Sequence, residues 1–195
     1  MSDHGRVQQK ARTRAELIRA ARALMDGGSA PTVEEAATAA SVSRATAYRY
    51  FPSRRALLVA AYPELTATTL LGERPPRAPA ARLDLVLEGI TRQMLEHEAV
   101  LRTMLRLSLE AGTATPDDLP FRVGRRIIWV RDALEPLRDE LSEPDRERLV
   151  LAVASAVGID ALVWLTDVAG LSRPDAIDLM CWSARTLLRA ARANP

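Results

Sequence analysis

The chain has 195 residues, 48% of them hydrophobic, with 27 Lys+Arg against 25 Asp+Glu and a formal net charge of +2. That is enough apolar chain to bury one large core or two small ones. The single cysteine, Cys181, excludes an intramolecular disulfide, and two histidines, His4 and His97, are too few for a Cys/His metal site.

The opening stretch, MSDHGRVQQKARTRAEL, has charges where a secretion signal needs an apolar centre. Every apolar run is shorter than a membrane span. The expectation is a soluble, cytoplasmic protein with no membrane partner. Charge is unevenly spread: residues 1–60 hold ten Lys+Arg against five Asp+Glu, and the remainder seventeen against twenty. The basic first third is suited to phosphates or to an acidic surface.

Residues 12–26, RTRAELIRAARALMD, place Leu17, Ala21 and Leu24 on one helical face and arginines on the other, and Gly27-Gly28 ends the run. Thr32-Val-Glu-Glu35 has the form of a capping box and starts a second, short helix. Ser43 caps a third beginning at Arg44, and Phe51-Pro52-Ser53 stops it and caps a fourth. The prolines of residues 72–80 mark a loop. A long helical run follows, with a possible break near His97-Glu98, then a loop over 112–120. Residues 121–141 predict a helix kinked at Pro136. Ser142-Glu-Pro-Asp145 and Ser172-Arg-Pro-Asp175 each announce a helix with a capping serine, an early proline and an acid at the positive end of the dipole. No stretch alternates as a strand does, so the fold class is all-α.

Placed on a helix, residues 44–51 put Ala47, Tyr50 and Phe51 on one side and Arg44, Ala45, Tyr48 and Arg49 on the other. Alanines at 36, 37 and 40 allow close approach of the preceding helix. Such a pair can place its second helix in the major groove of DNA. It can equally be an ordinary helical hairpin with a solvated Arg/Tyr face.

The stretch PTVEEAATAASVSRATAYRYFPSRRALLVAA resembles the N-terminal domain of TetR-family transcriptional regulators, through Thr32, Ala37, Ala40, Val42, Ser43, Thr46, Tyr48, Tyr50, Phe51, Ser53 and Leu57. It departs from the family pattern at the turn glycine, here Ser41, and has Ala45, Ala47 and Arg54 where the family has glycine, a larger apolar residue and lysine. Ser41 is therefore expected in the left-handed conformation, or in a slightly different turn.

The resemblance implies a helix-turn-helix DNA-binding domain over 1–60, with a basic arm at 1–12, and a helical-bundle ligand-sensing and dimerisation domain over 61–195. It implies that Arg44, Ala45, Thr46, Tyr48 and Arg49 face the DNA groove and that Tyr50 and Arg54 meet phosphates. The helix ends capped by Thr32 and Ser43 would also approach phosphate. Arg6, Lys10, Arg12 and Arg14 could reach the adjacent backbone. The partners are then a double-stranded DNA operator, a second copy of the chain and a small apolar or amphipathic ligand, with no cofactor.

In the second part, Met94, His97, Met104, Leu105, Leu109, Phe121, Trp129 and Trp164 are candidates either to line a ligand pocket or to form core. Two apolar stripes could serve a four-helix dimer interface or the chain's own core. One comprises Val153, Ala156, Leu162 and Val163; the other Ile177, Met180, Ala184, Leu187 and Leu188. Two reading heads need a dimer to meet half-sites about 34–36 Å apart. The sequence holds no Gly-rich phosphate loop and no Gly-x-Ser-x-Gly, so an enzyme is the weak alternative. A helical module whose Arg/Tyr face binds an acidic protein is the other.

Overall fold

A computed structural model describes residues 2–109 and 124–193, without the side chains of residues 2–4 and 6. Among the described residues there are ten α-helices and no strand, and no single helix is long and apolar enough to cross a membrane. They fall into two units, residues 2–66 with 99–109, and residues 67–98 with 124–193.

The first unit is built on α1 (Ser2–Asp26), which packs against α2 (Val33–Ala39) and α4 (Arg54–Ala61), while α2 carries α3 (Arg44–Tyr50). The basic arm expected at 1–12 belongs to α1 from residue 2 onward. One core cluster joins Leu17 and Ala21 of α1, Val33, Ala36 and Ala37 of α2, Ala47 of α3, and Phe51 and Leu57. Small residues where α1, α2 and α3 meet let the helix axes come close. Phe51 fills the remaining volume, a burial that stabilises by about 1.5–3 kcal/mol. A second cluster joins Met25, Leu58, Ala61, Tyr62 and Leu65 to Val100 and Met104 of α6 (Glu98–Leu109). Arg22 ties α1 to α4, its Nε donating to the Ala61 carbonyl at 2.7 Å while its guanidinium lies over the Tyr62 ring. Arg106 of α6 reaches the Gly28 carbonyl at 3.2 Å.

The second unit consists of α5 (Pro79–Glu96), α7 (Arg125–Ala133), α8 (Glu143–Ala156), α9 (Ile159–Val163) and α10 (Arg173–Ala193), with α8 packed between α7 and α10. Its buried residues include Leu83, Leu87, Met94, Val130, Leu134, Val153, Leu162, Met180 and Leu188. Arg82 joins α5 to the end of α7, donating to the carbonyls of Asp132 at 2.7 Å and Ala133 at 3.1 Å. Serine caps form where the sequence places them, Ser142 accepting from the Asp145 N–H and Ser172 from the Asp175 N–H.

Two helices differ from expectation. The helix predicted over 121–141 with a kink at Pro136 is α7 alone, starting at Arg125 and ending at Ala133; a 3₁₀ turn, Glu135–Asp139, takes over. Proline has no N–H to continue an α-helix, and at the start of a 3₁₀ turn that loss is harmless. The apolar run from Leu149 to Thr166 does not form one helix either. It breaks at Gly158, whose φ of 123° is open to glycine and strained for other residues. There Arg126 donates to the Val157 carbonyl and pairs with Asp160, and a Cβ on residue 158 would overlap its guanidinium. After α9 the backbone widens into a π-type turn, Trp164–Val168, before Gly170.

Candidate nucleic-acid interface

Three local devices present α3. The Thr32 hydroxyl accepts from the Glu35 N–H at 3.1 Å and the Glu35 carboxylate accepts from the Thr32 N–H at 2.7 Å, so both ends of the capping box are closed. At the other end of α2, Ser41 takes a φ of 55°, and the Val42 N–H reaches back to the Ala37 carbonyl at 2.9 Å. That is the left-handed helix stop usually built on glycine. Ser43 then caps α3, accepting from the Thr46 N–H at 3.3 Å, and Ser53 caps α4 in the same way at 3.1 Å.

The cap geometry fixes which side of α3 is inside. Ala47 and Phe51 are buried and Tyr50 is half-buried, while Ser43, Arg44, Ala45, Tyr48 and Arg49 are exposed and Thr46 lies at the edge. The structure therefore brings Arg44, Ala45, Tyr48 and Arg49 together on one outward surface. Thr32 and Ser43 are exposed at the helix starts they cap.

The two flanks of this surface differ in charge. Toward α1, Thr46, Arg49 and Tyr50 form a groove with Gln9, Lys10 and Thr13. Arg49 lies over the Tyr50 ring at 5.9 Å, and among the described residues neither Lys10 nor Arg49 makes an ion pair. Toward α2, one oxygen of Glu34 accepts from the Tyr48 hydroxyl at 2.7 Å and from Arg44 at 2.8 Å. The Tyr48 hydrogen bond lowers the Glu34 pKa below its ordinary value and, seen from the other partner, raises the Tyr48 phenol.

Sequence reasoning missed Glu34. Its available signal was a carboxylate in a basic segment, one residue before the glutamate that the capping box uses.

Arg54, expected at a phosphate, is half-buried and donates to the Ala30 carbonyl, linking α4 to the loop after α1. Its fork reaches inward because that carbonyl lies free of helix hydrogen bonding. Of the basic residues in the expected arm, Lys10, Arg12 and Arg14 lie on α1, Arg14 over the Phe51 ring at 5.5 Å. The Arg6 side chain is outside the described residues.

The ligand-pocket candidates are divided between the units. Met94 and Trp129 are buried in the second, the Trp129 indole donating to the Ala67 carbonyl at 2.8 Å, and His97 caps the end of α5. Met104 is core of the first unit, Leu105 is half-buried beside it in sequence, and Leu109 is 76% exposed. Trp164 is 59% exposed and Phe121 lies outside the described residues. Among the described residues no group of three His, Cys, Asp or Glu side chains could hold a metal ion.

Of the stripe residues expected at a dimer interface, Val153, Leu162, Met180, Ala184 and Leu188 are buried in the chain's own core. Ala156, Val163, Ile177 and Leu187 are half-buried. The large apolar side chains left exposed on these helices are Leu151, Leu179 and Trp182.

Residues 17–61 match the model for bacterial regulatory proteins of the tetR family. Over 159 residues the chain is 34% identical to the HTH-type transcriptional repressor KstR of Rhodococcus jostii (strain RHA1), an alignment covering 78% of this chain and 73% of that protein. Its fold is similar to the crystal structure of a TetR transcriptional regulator from Rhodococcus sp. RHA1. The TM-score is 0.50 at 20% identity, over 93% of this chain and 98% of that one.

Proposed function

Because this chain belongs to the tetR family of bacterial regulatory proteins and is a DNA-binding transcriptional regulator, we propose that it acts as a dimeric, ligand-responsive repressor. The observation that carries the reading is the outward face of α3. Arg44, Ala45, Tyr48 and Arg49 share one exposed surface because Ala47 and Phe51 hold the opposite side in the core.

Inserted in a major groove, that face offers arginine forks to the O6 and N7 of guanine and the Ala45 methyl to thymine. The groove shared with α1 suits the sugar-phosphate backbone, since Lys10 and Arg49 keep their charge unpaired among the described residues. Thr32 and Ser43 stand at helix starts, where exposed N–H groups favour an anion. Arg54 contributes by bracing α4 against the Ala30 carbonyl.

Dimerisation is supported by Leu179 and Trp182, one helical turn apart on α10, and by Leu151 on α8, all three exposed in the single chain. A second copy covering them would place two reading heads on a pseudo-palindrome. A small apolar or amphipathic ligand would release DNA by binding better to the conformation that cannot engage both half-sites. Repression then follows from occupation of promoter DNA, the mode named for the Rhodococcus relative.

Selection of bound fragments from random duplex DNA tests this reading. The expected result is enrichment of a short pseudo-palindrome whose affinity falls steeply with salt and is lost with Arg49→Ala. Equal recovery of all sequences would overturn it.

A further inference from the structure

A carboxylate sits inside the reading surface of a basic domain. One Glu34 oxygen accepts both the Tyr48 hydroxyl at 2.7 Å and the Arg44 guanidinium at 2.8 Å, and that guanidinium also lies over the Tyr48 ring at 5.7 Å. The three side chains form a closed triangle joining the first turn of α2 to α3. Glu34 is not required for the helix start, because Glu35 and Thr32 satisfy each other there.

Near DNA this carboxylate repels phosphate, so its presence lowers general attraction to the backbone. Its return is positional. The Arg44 side chain is 74% exposed, and a long arginine without a partner would take whichever anion it met first, most often a phosphate. Held by one NH2 group, it keeps the rest of its planar fork available in one orientation. Tyr48 is fixed by the same oxygen. The α1 flank has no such restraint among the described residues, with Lys10 and Arg49 bare of carboxylate partners. One flank is arranged for phosphates and the other against them.

Building on the DNA-reading assignment of α3, we propose that Glu34 is a specificity-determining positioning residue, which presents Arg44 and Tyr48 to base edges and keeps them off the phosphate backbone. Arg44 is the side chain whose choice of base it enforces, guanine by the geometry of a two-pronged contact.

The test uses the full chain with Glu34→Gln, Glu34→Ala, Arg44→Ala and the Glu34→Gln/Arg44→Ala double variant. Each is titrated with the selected operator, with every single-base-pair variant of it and with a random-sequence duplex, over a salt series. The expected result for Glu34→Gln is several-fold tighter binding to the random duplex and a salt dependence steeper by about one ion. Discrimination should fall about tenfold at one or two base pairs of each half-site. In the Arg44→Ala background the same change should leave those positions unaffected. Equal tightening on every duplex with an unchanged base profile would overturn the proposal, since charge alone would then explain it. Equal weakening with a lowered melting temperature would also overturn it, in favour of a role in holding the fold. Sequence-indifferent binding by the unaltered protein would instead sink the DNA-reading assignment and this inference with it.

Discussion

Thr32 and Glu35 satisfy each other's backbone: the Glu35 carboxylate accepts the Thr32 N–H at 2.7 Å, and the Thr32 hydroxyl accepts the Glu35 N–H at 3.1 Å. Thr32→Ala removes the hydroxyl half of the box and should cost about 1 kcal/mol in thermal or urea unfolding. Acid should act on the same turn. The backbone N–H of Thr32 is the largest cause of the lowered Glu35 pKa, and the Tyr48 hydroxyl is that for Glu34. A folded-state carboxyl pKa below the unfolded one contributes stability above the unfolded value, here about 4.5, and loses it as pH falls through the lowered folded value. Melting temperatures should therefore begin to drop just below that pH. With Thr32→Ala the Glu35 share of this acid dependence should be reduced.

Ser41 supports the turn between α2 and α3 in a left-handed conformation, with φ of 55° and no glycine to ease it. Ser41→Gly should raise stability by about 0.5–1 kcal/mol, the strain relieved exceeding the added chain entropy. Operator affinity should stay within twofold, because the hydrogen bond from Val42 to Ala37 already sets the helix angle. Calorimetry and a binding titration would check the two halves separately.

Lys10 and Arg49 line the groove between α1 and α3. Single substitutions to alanine should weaken binding to operator and to random DNA by similar factors, each reducing the salt slope by about one. Fluorescence anisotropy across a salt series reads both quantities. A loss confined to the operator would assign the residue to base reading instead.

Leu179 and Trp182 are exposed on α10, Trp182 at 57%, whereas Met180 between them is 1% exposed. Leu179→Glu and Trp182→Glu should yield folded monomers by light scattering, with operator binding weakened at least tenfold as the second reading head is lost. Met180→Glu should fail at an earlier stage, through unfolding, because it places an unpaired charge in the core.

The sequence was most legible where the deciding chemistry is local. Thr32, Ser43, Ser53, Ser142 and Ser172 cap helices because a side-chain oxygen needs only the next turn for a partner. Ala47 and Phe51 face inward because a seven-residue helix with a single apolar edge has one way to bury it. Three features escaped for physical reasons. The first turns of α1 have no apolar stripe to announce them. At Gly158 the apolar spacing continues across a break that only the approach of Arg126 explains. Along α10 the stripe at Met180, Ala184 and Leu188 was visible, but periodicity cannot tell the face turned to the chain's own core from one left for a second copy. Glu34 was missed because its partners lie ten and fourteen residues away, across a turn.

Val100 and Met104 close the second core cluster of the reading unit although thirty or more residues separate them from Leu65. A head severed after residue 66 would therefore carry a wet scar of Leu58, Ala61, Tyr62 and Leu65, and would lose the tether from Arg106 to Gly28. For anyone grafting this head onto another sensor, the transplant is not one stretch of chain. It is a stretch plus a borrowed helix, and a chimera that omits α6 should aggregate before its DNA preference can be measured.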